Sequence, residues 1–143
     1  MLSYETLAVT AAEADAYATL RAWTNWTGEE SAKTAALRRG QDYIAGLYNS
    51  RWNIEFDNET APQVVIYAII EAARRELAAP GSLMPDVVGT ERVLREKVGD
   101  LEVQYADAKE PDDARPRLPI IDGLLAGLIR DAGNVTTCFL ARA

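Results

Sequence analysis

The side chains that could do chemistry in this 143-residue chain are few: one thiol, Cys138, an acidic run, Glu110-Pro111-Asp112-Asp113, and an aromatic set, Trp23, Trp26, Tyr48 and Trp52. A thiol becomes a nucleophile beside a base that lowers its pKa. Cys138 lies in the apolar stretch "TTCFL" and reads as a packed thiol. Clustered carboxylates can hold a hard cation, but this run lacks the alternating ligands and the glycine of a calcium loop and reads as a solvated loop. The aromatic residues could stack on bases. Their pattern lacks interleaved Arg and Lys, so they read as core and loop anchors. The chain has no histidine, which removes the commonest general base and metal ligand together. No glycine-rich phosphate loop, GxSxG elbow or CxxC pair is present. The expectation is a protein that is not an enzyme, with no cofactor and no metal site.

Composition points the same way. A hydrophobic fraction of 48% and a charged fraction of 26% are those of an ordinary globular domain. The longest apolar run, Val64 to Ile70, is far shorter than the ~20 residues that span a bilayer. The opening "MLSYETLAVT" lacks the basic start and apolar stretch of a secretory signal, and one cysteine fits a reducing compartment. No membrane partner is expected. With 22 acids against 15 bases the formal net charge is −7, which opposes general attraction to a phosphate backbone. The basic clusters are two pairs only, Arg38-Arg39 and Arg74-Arg75.

The elements that would position these residues are mostly helical. Thr10-Ala11-Ala12-Glu13 and Thr27-Gly28-Glu29-Glu30 have the form of capping boxes, and Thr60-Ala61-Pro62-Gln63 gives the Gln version with proline in the first turn. They predict helices over 11–22, 28–48 and 61–79, the third stopped by Pro80-Gly81. In the second, Ala32, Ala36, Tyr43, Ile44 and Leu47 form an apolar stripe. Gly40 sits mid-helix, a weak point costing about 1 kcal/mol relative to Ala. The third helix, with "VVIYAII", is apolar around its circumference and must be surrounded, by its own chain or by neighbouring subunits.

Further along, the period changes to two. Leu94, Glu96 and Val98 alternate with Arg95 and Lys97, and Leu101, Val103 and Tyr105 alternate with Glu102 and Gln104. Gly99-Asp100 between them suits a type II′ turn, so a β-hairpin over 93–105 is expected. A polar loop, 106–118, follows. Pro119 then opens a helix with Ile120, Ile121, Leu124, Leu125, Leu128 and Ile129 on one stripe. The tail 131–143 is expected to form a short strand or an arm. The fold class is therefore mainly α: a small bundle of about four helices with one protruding hairpin. It forms one domain, 1–130, followed by a C-terminal arm.

The order of "AEADAYATLRAWTNWTGEESAKTAALRRGQDYIAGLY", "IEAARRELA", "EKVGDLEVQYAD" and "RPRLPIIDGLLAGLI" resembles the head–tail connector (adaptor) proteins of tailed bacteriophages. Many of these are also labelled DnaT-like single-stranded-DNA-binding proteins. The resemblance covers roughly Thr10 to Ile129; where such sequences often carry "WPR" after the second helix, this chain has "RWNIEFDNETAP". It implies a structural virion protein of the phage neck, made in the bacterial host cytoplasm. Its subunits would form a ring, dodecameric in that family, beneath the portal protein. That ring would dock the stopper or tail-completion protein and let genomic double-stranded DNA pass without specific binding. Under this reading Lys97, Val98, Leu101, Val103, Tyr105, Asp112 and Asp113 make subunit or lower-neck contacts, and Val135, Phe139 and Leu140 face the portal. The rival reading is a single-stranded-DNA-binding replication accessory that uses Trp23, Trp26 or Arg38-Arg39.

Overall fold

The computed structural model describes residues 1–86 and 116–130 and the backbone of 95–98 and 101–104. Helix α1 (Ala11–Leu20) starts where the sequence places it. The Glu13 amide donates to Thr10 Oγ1 at 3.3 Å, while the Thr10 amide donates to Glu13 Oε2 at 2.7 Å, a complete capping box. The helix ends short of 22 because Ala22 takes a φ of 50°, and the Trp23 amide folds back onto the Ala18 carbonyl at 3.0 Å.

The other two predicted boxes do not form. Helix α2 (Glu30–Tyr48) is preceded by Gly28 at φ 113°, a left-handed turn open to glycine, and its N-cap Glu29 makes no side-chain cap. Thr27 therefore lies outside the helix start. Helix α3 (Gln63–Ala78) has Pro62 as its N-cap, again without a side-chain bond. Thr60 turns backwards instead: its hydroxyl donates to Asp57 Oδ1 at 2.7 Å and accepts from the Asp57 amide. The Asp57 carboxylate also takes the amides of Glu59 and Thr60, and the Thr60 bonds hold its carboxyl below the usual range. Local side chain–backbone turns of this kind compete with caps.

Helix α3 is the centre of the molecule. Val65, Ile69, Ile70, Ala72 and Ala73 are fully or almost fully buried, so the apolar circumference is covered by the chain itself. It packs against α2 along its length and against helix α4 (Pro119–Leu125), while α1 lies across both α2 and α3. Helix α4 has proline in its first turn and buries Ile121 and Leu125. It stops earlier than the apolar stripe suggests: Ile120 is exposed, and Ile129 instead forms an antiparallel bridge with Trp52. The Asn53 amide bonds the Leu128 carbonyl at 2.9 Å, and the Arg130 amide bonds the Arg51 carbonyl at 2.8 Å, sealing this end.

Polar side chains of α2 hold the segment that precedes α1. Gln41, completely buried, donates to the carbonyls of Ser3 and Thr6 and accepts from the Ala8 amide. One turn earlier, Arg38 donates to the carbonyls of Tyr4, Glu5 and Thr6. Buried Leu2 is thereby pinned to the bundle, with Asn49 bonding both its amide and its carbonyl.

Strands β1 (Arg95–Val98) and β2 (Leu101–Gln104) pair antiparallel, with Arg95 opposite Gln104 and Val98 opposite Leu101. The predicted turn Gly99-Asp100, the loop at 106–115 and the arm 131–143 lie outside the described residues. The described secondary structure is otherwise helical, so the fold is mainly α with four helices.

Gly40 has a different role from the one its helix propensity suggests. A Cβ built there would lie 2.7 Å from the Ala73 nitrogen and 2.8 Å from the Ile69 oxygen, both backbone atoms of α3. Gly46, on the same helix, faces open space. Gly40→Ala should therefore destabilise by about 1–3 kcal/mol through overpacking, although alanine is the better helix former. Gly46→Ala should stabilise by about 1 kcal/mol. Urea unfolding of the two variants tests the contrast, and equal shifts of the same sign would refute it.

Candidate functional site

Where α1 ends against α3, three aromatic rings and two arginines interleave in space. Tyr17, buried, meets Trp23 edge-on at 5.3 Å between centroids and Tyr67 at 4.7 Å. The Arg21 guanidinium lies 3.4 Å above the Tyr17 ring centroid, and that of Arg74 lies 4.3 Å above Trp23. Arg74 is aimed by Asn25, whose Oδ1 accepts from its Nε at 2.9 Å. Among the described residues neither Arg21 nor Arg74 is in an ion pair. Guanidinium groups stacked on aromatic faces keep their in-plane donors available to anions.

The cluster rests on buried charge. Glu71 is 2% exposed, accepts the Tyr17 hydroxyl at 3.1 Å, and pairs with Arg75 at 3.3 Å one helical turn away. One turn further, buried Glu76 accepts from Arg39 Nε at 3.0 Å and from the amides of Gly81 and Leu83. Those amides anchor the chain after α3, so the stop at Pro80-Gly81 is fastened by a side chain as well as by backbone propensity. Burial, followed by the adjacent Glu71 carboxylate, pushes the Tyr17 phenol up to about 12. Burial and the bond to Asp122 raise the Tyr48 phenol as well.

Three of the four aromatic residues singled out in the sequence are anchors. Trp26 is buried and donates to Asp15 at 2.7 Å; Trp52 is buried and donates to Asn49 at 3.1 Å; Tyr48 is buried and donates to Asp122 at 2.8 Å. Lys33 also bonds Asp15, and with the Trp26 N–H it holds that carboxyl below the usual range. Trp23, half-buried, has the Arg74 guanidinium over its face at 4.3 Å, and the Arg51 guanidinium lies 5.6 Å from the Tyr48 ring centroid. Arg38 is engaged by the carbonyls of residues 4–6 and Arg39 by Glu76, so the sequence pair Arg38-Arg39 is not an open basic patch.

Sequence reading missed the roles of Arg21 and Arg74. The i, i+4 spacing of Tyr17 and Arg21 was a readable signal; the approach of Arg74 to Trp23, across 51 positions, was not. Among the proposed assembly residues, Lys97, Val98, Leu101 and Val103 lie in the β1–β2 ladder. Tyr105, Asp112, Asp113, Val135, Phe139 and Leu140 lie outside the described residues, as does Cys138. Among the described residues no helix is long and apolar enough to cross a membrane.

Comparison with known proteins gives one family. A family model described as "Putative DnaT-like ssDNA binding protein" matches residues 4–54 and 50–143, nearly the whole chain, and the chain belongs to that family. No curated protein and no solved structure matches.

The raised phenols predict how stability depends on pH. An unfolded tyrosine loses its proton near its ordinary value of 10.0, while folded Tyr17 keeps its own up to about 12. Above pH 10 the unfolded state thus binds fewer protons, so stability present below that pH is lost as it rises toward 12. Tyr48 acts with the same sign. Urea midpoints measured across this range should fall in the parent chain and fall less steeply in Tyr17→Phe; parallel slopes would refute the assignment.

Proposed function

We propose that this member of the DnaT-like family is a structural protein of a tailed-phage neck. It assembles as a ring below the portal, extends the DNA channel and docks the stopper or tail-completion protein. The observation that carries this reading is the β1–β2 register. In it Glu96 pairs with Val103, Lys97 with Glu102 and Val98 with Leu101. A lone two-stranded ladder is marginal in water, and one whose sequence alternates apolar with polar residues gains stability by meeting another surface. Subunits related by rotation supply such a surface and close into a ring. The polar groups of the helical body support the same reading, because Gln41, Glu71, Glu76, Asp15 and Arg39 all hold the fold together. A net charge of −7 suits a channel wall that DNA slides past. The role is structural rather than catalytic. The tail bearing Val135, Phe139 and Leu140 is assigned to the portal side, and Tyr105, Asp112 and Asp113 to subunit or lower-neck contacts.

Electron microscopy of the chain mixed with its portal protein should reveal an added ring. Replacing Val98, Leu101 and Val103 together by Ser or Thr should abolish that ring while leaving the urea midpoint of the helical body within about 0.5 kcal/mol of the parent. A portal without added density, or equal loss of folding and assembly, counts against the proposal.

A second reading, single-stranded-DNA binding, is favoured by the family's description and by the Arg74–Trp23 and Arg21–Tyr17 stacks. It relocates the contact from Trp26 and Arg38-Arg39 to Trp23, Arg21 and Arg74. Fluorescence anisotropy with a labelled oligonucleotide at low salt should then give saturable binding, weakened about fivefold or more by Trp23→Ala, since base stacking is worth ~1–3 kcal/mol. A flat titration dismisses it.

A further inference from the structure

A cleft of about 290 Å³ opens between the C-terminal half of α2 and the start of α4, lined by Tyr43, Leu47, Tyr48, Arg51, Arg117 and Asp122 among others. Two arginines and one aspartate line it, and the Asp122 carboxylate already accepts the Tyr48 hydroxyl at 2.8 Å. Arg51 is held in place by its backbone: its amide bonds the Tyr48 carbonyl and its carbonyl takes the Arg130 amide, each at 2.8 Å. Its Nε is buried and, among the described residues, has no hydrogen-bond partner. A guanidinium donor removed from water and left open is costly unless something completes it. Arg117, by contrast, is exposed at the rim.

We propose that this cleft receives a carboxylate side chain from an acidic segment of a partner protein, bound between Arg51 and Arg117. The charge fits one monoanion, because Asp122 offsets one of the two cations. A polyanionic phosphate backbone would bring its excess charge against Asp122. The shape of the donor also fits, since a guanidinium fork matches the two oxygens of a carboxylate. The volume admits one or two side chains and is at the small end for a cofactor site. Leu47 and the Tyr43 ring give the cleft apolar walls, so an aliphatic residue beside the acid suits it. This surface lies on α2 and α4, shares no residue with the Arg74–Trp23 stack or with β1 and β2, and stands independently of either functional reading.

The full chain is titrated with a fluorescein-labelled peptide, acetyl-Leu-Glu-Asp-Leu-amide, and with its Gln-Asn counterpart. The acidic peptide should bind saturably and the amide peptide about tenfold or more weakly, the size expected for a charge-assisted pair. Arg117→Gln, at an exposed position outside the core, should weaken the acidic peptide by a similar factor, as should Arg51→Gln provided its circular dichroism matches the parent. Equal affinity for the two peptides, or no change in Arg117→Gln and Arg51→Gln, overturns the proposal. So does equal displacement by an oligonucleotide, which would mean a general anion site. Binding that appears only after Glu110, Asp112 and Asp113 are changed to Gln and Asn would show that the chain's own acidic run fills the cleft, and would overturn the partner assignment.

Discussion

The closest approach of α2 to α3 governs this fold. With a hydrogen in place of a side chain at Gly40, the two helix backbones come within reach of direct contact at Ile69 and Ala73. Helix packing at ordinary side-chain distances leaves 8–10 Å between axes, and a small residue is what permits less. Everything around the crossing is set by it. Ala36, Leu37 and Ile44 above and below Gly40 become fully buried, as do Ala72 and Ala73 opposite. Arg39, next to Gly40, is brought onto Glu76, and Gln41, on its other side, is turned toward the segment before α1. One glycine thus fixes the crossing, and the polar residues beside it lock the peripheral chain onto that crossing.

The two buried glutamates show how such a tight core tolerates charge. Each leaves water and replaces hydration with several donors: Glu71 takes a phenol and an arginine, while Glu76 takes an arginine and two backbone amides. Removing one partner from such a network costs more than the network gains over an apolar replacement. These residues therefore act mainly by specifying which chain segments sit where. Glu76 fixes the path after α3, and Glu71 fixes Tyr17 and through it the rings and guanidiniums at the end of α1.

What could be read from the sequence follows the range of each interaction. The Thr10–Glu13 box and the apolar circumference of α3 depend on neighbours in sequence or on composition, and both were legible. The anchoring of Trp26, Trp52 and Tyr48 followed from their type and setting. The Thr27 and Thr60 boxes have the same local pattern as Thr10, yet Gly28 turns the chain before α2 and Asp57 captures Thr60. The box pattern reads only its Thr and its Glu or Gln, and registers neither a left-handed glycine between them nor an aspartate that precedes them. Gly40 was read as a liability because propensity counts only the helix it belongs to, whereas its use depends on α3. The burial of Glu71, Glu76 and Gln41 was not legible, since their partners lie up to 54 positions away. The stripe of α4 placed Ile120 and Ile129 on a helix face, but the helix ends at Leu125 and the bridge to Trp52 takes Ile129 instead.

The aromatic–arginine cluster also bears on which of the two functional readings the fold suits. An open stacking platform leaves a ring face free for a base. Here Arg74 lies over Trp23 and is oriented by Asn25, and Arg21 lies over Tyr17. A base that stacked on Trp23 from this side would first displace a cation–π contact worth ~0.5–2 kcal/mol, so part of the stacking energy would be lost in the exchange. A phosphate or carboxylate approaching the guanidinium edges leaves both stacks in place and meets the donors that Asn25 and the Tyr17 carbonyl do not take. The cluster is thus better prepared for an anion at its rim than for a base on its face. A chain of net charge −7 has few places where another anionic surface can meet it. Arginines fixed by stacking and, among the described residues, in no ion pair are suited to such contacts: their position is set before binding and little side-chain entropy remains to be lost. That physical property suits contacts with anions, carboxylate and phosphate alike.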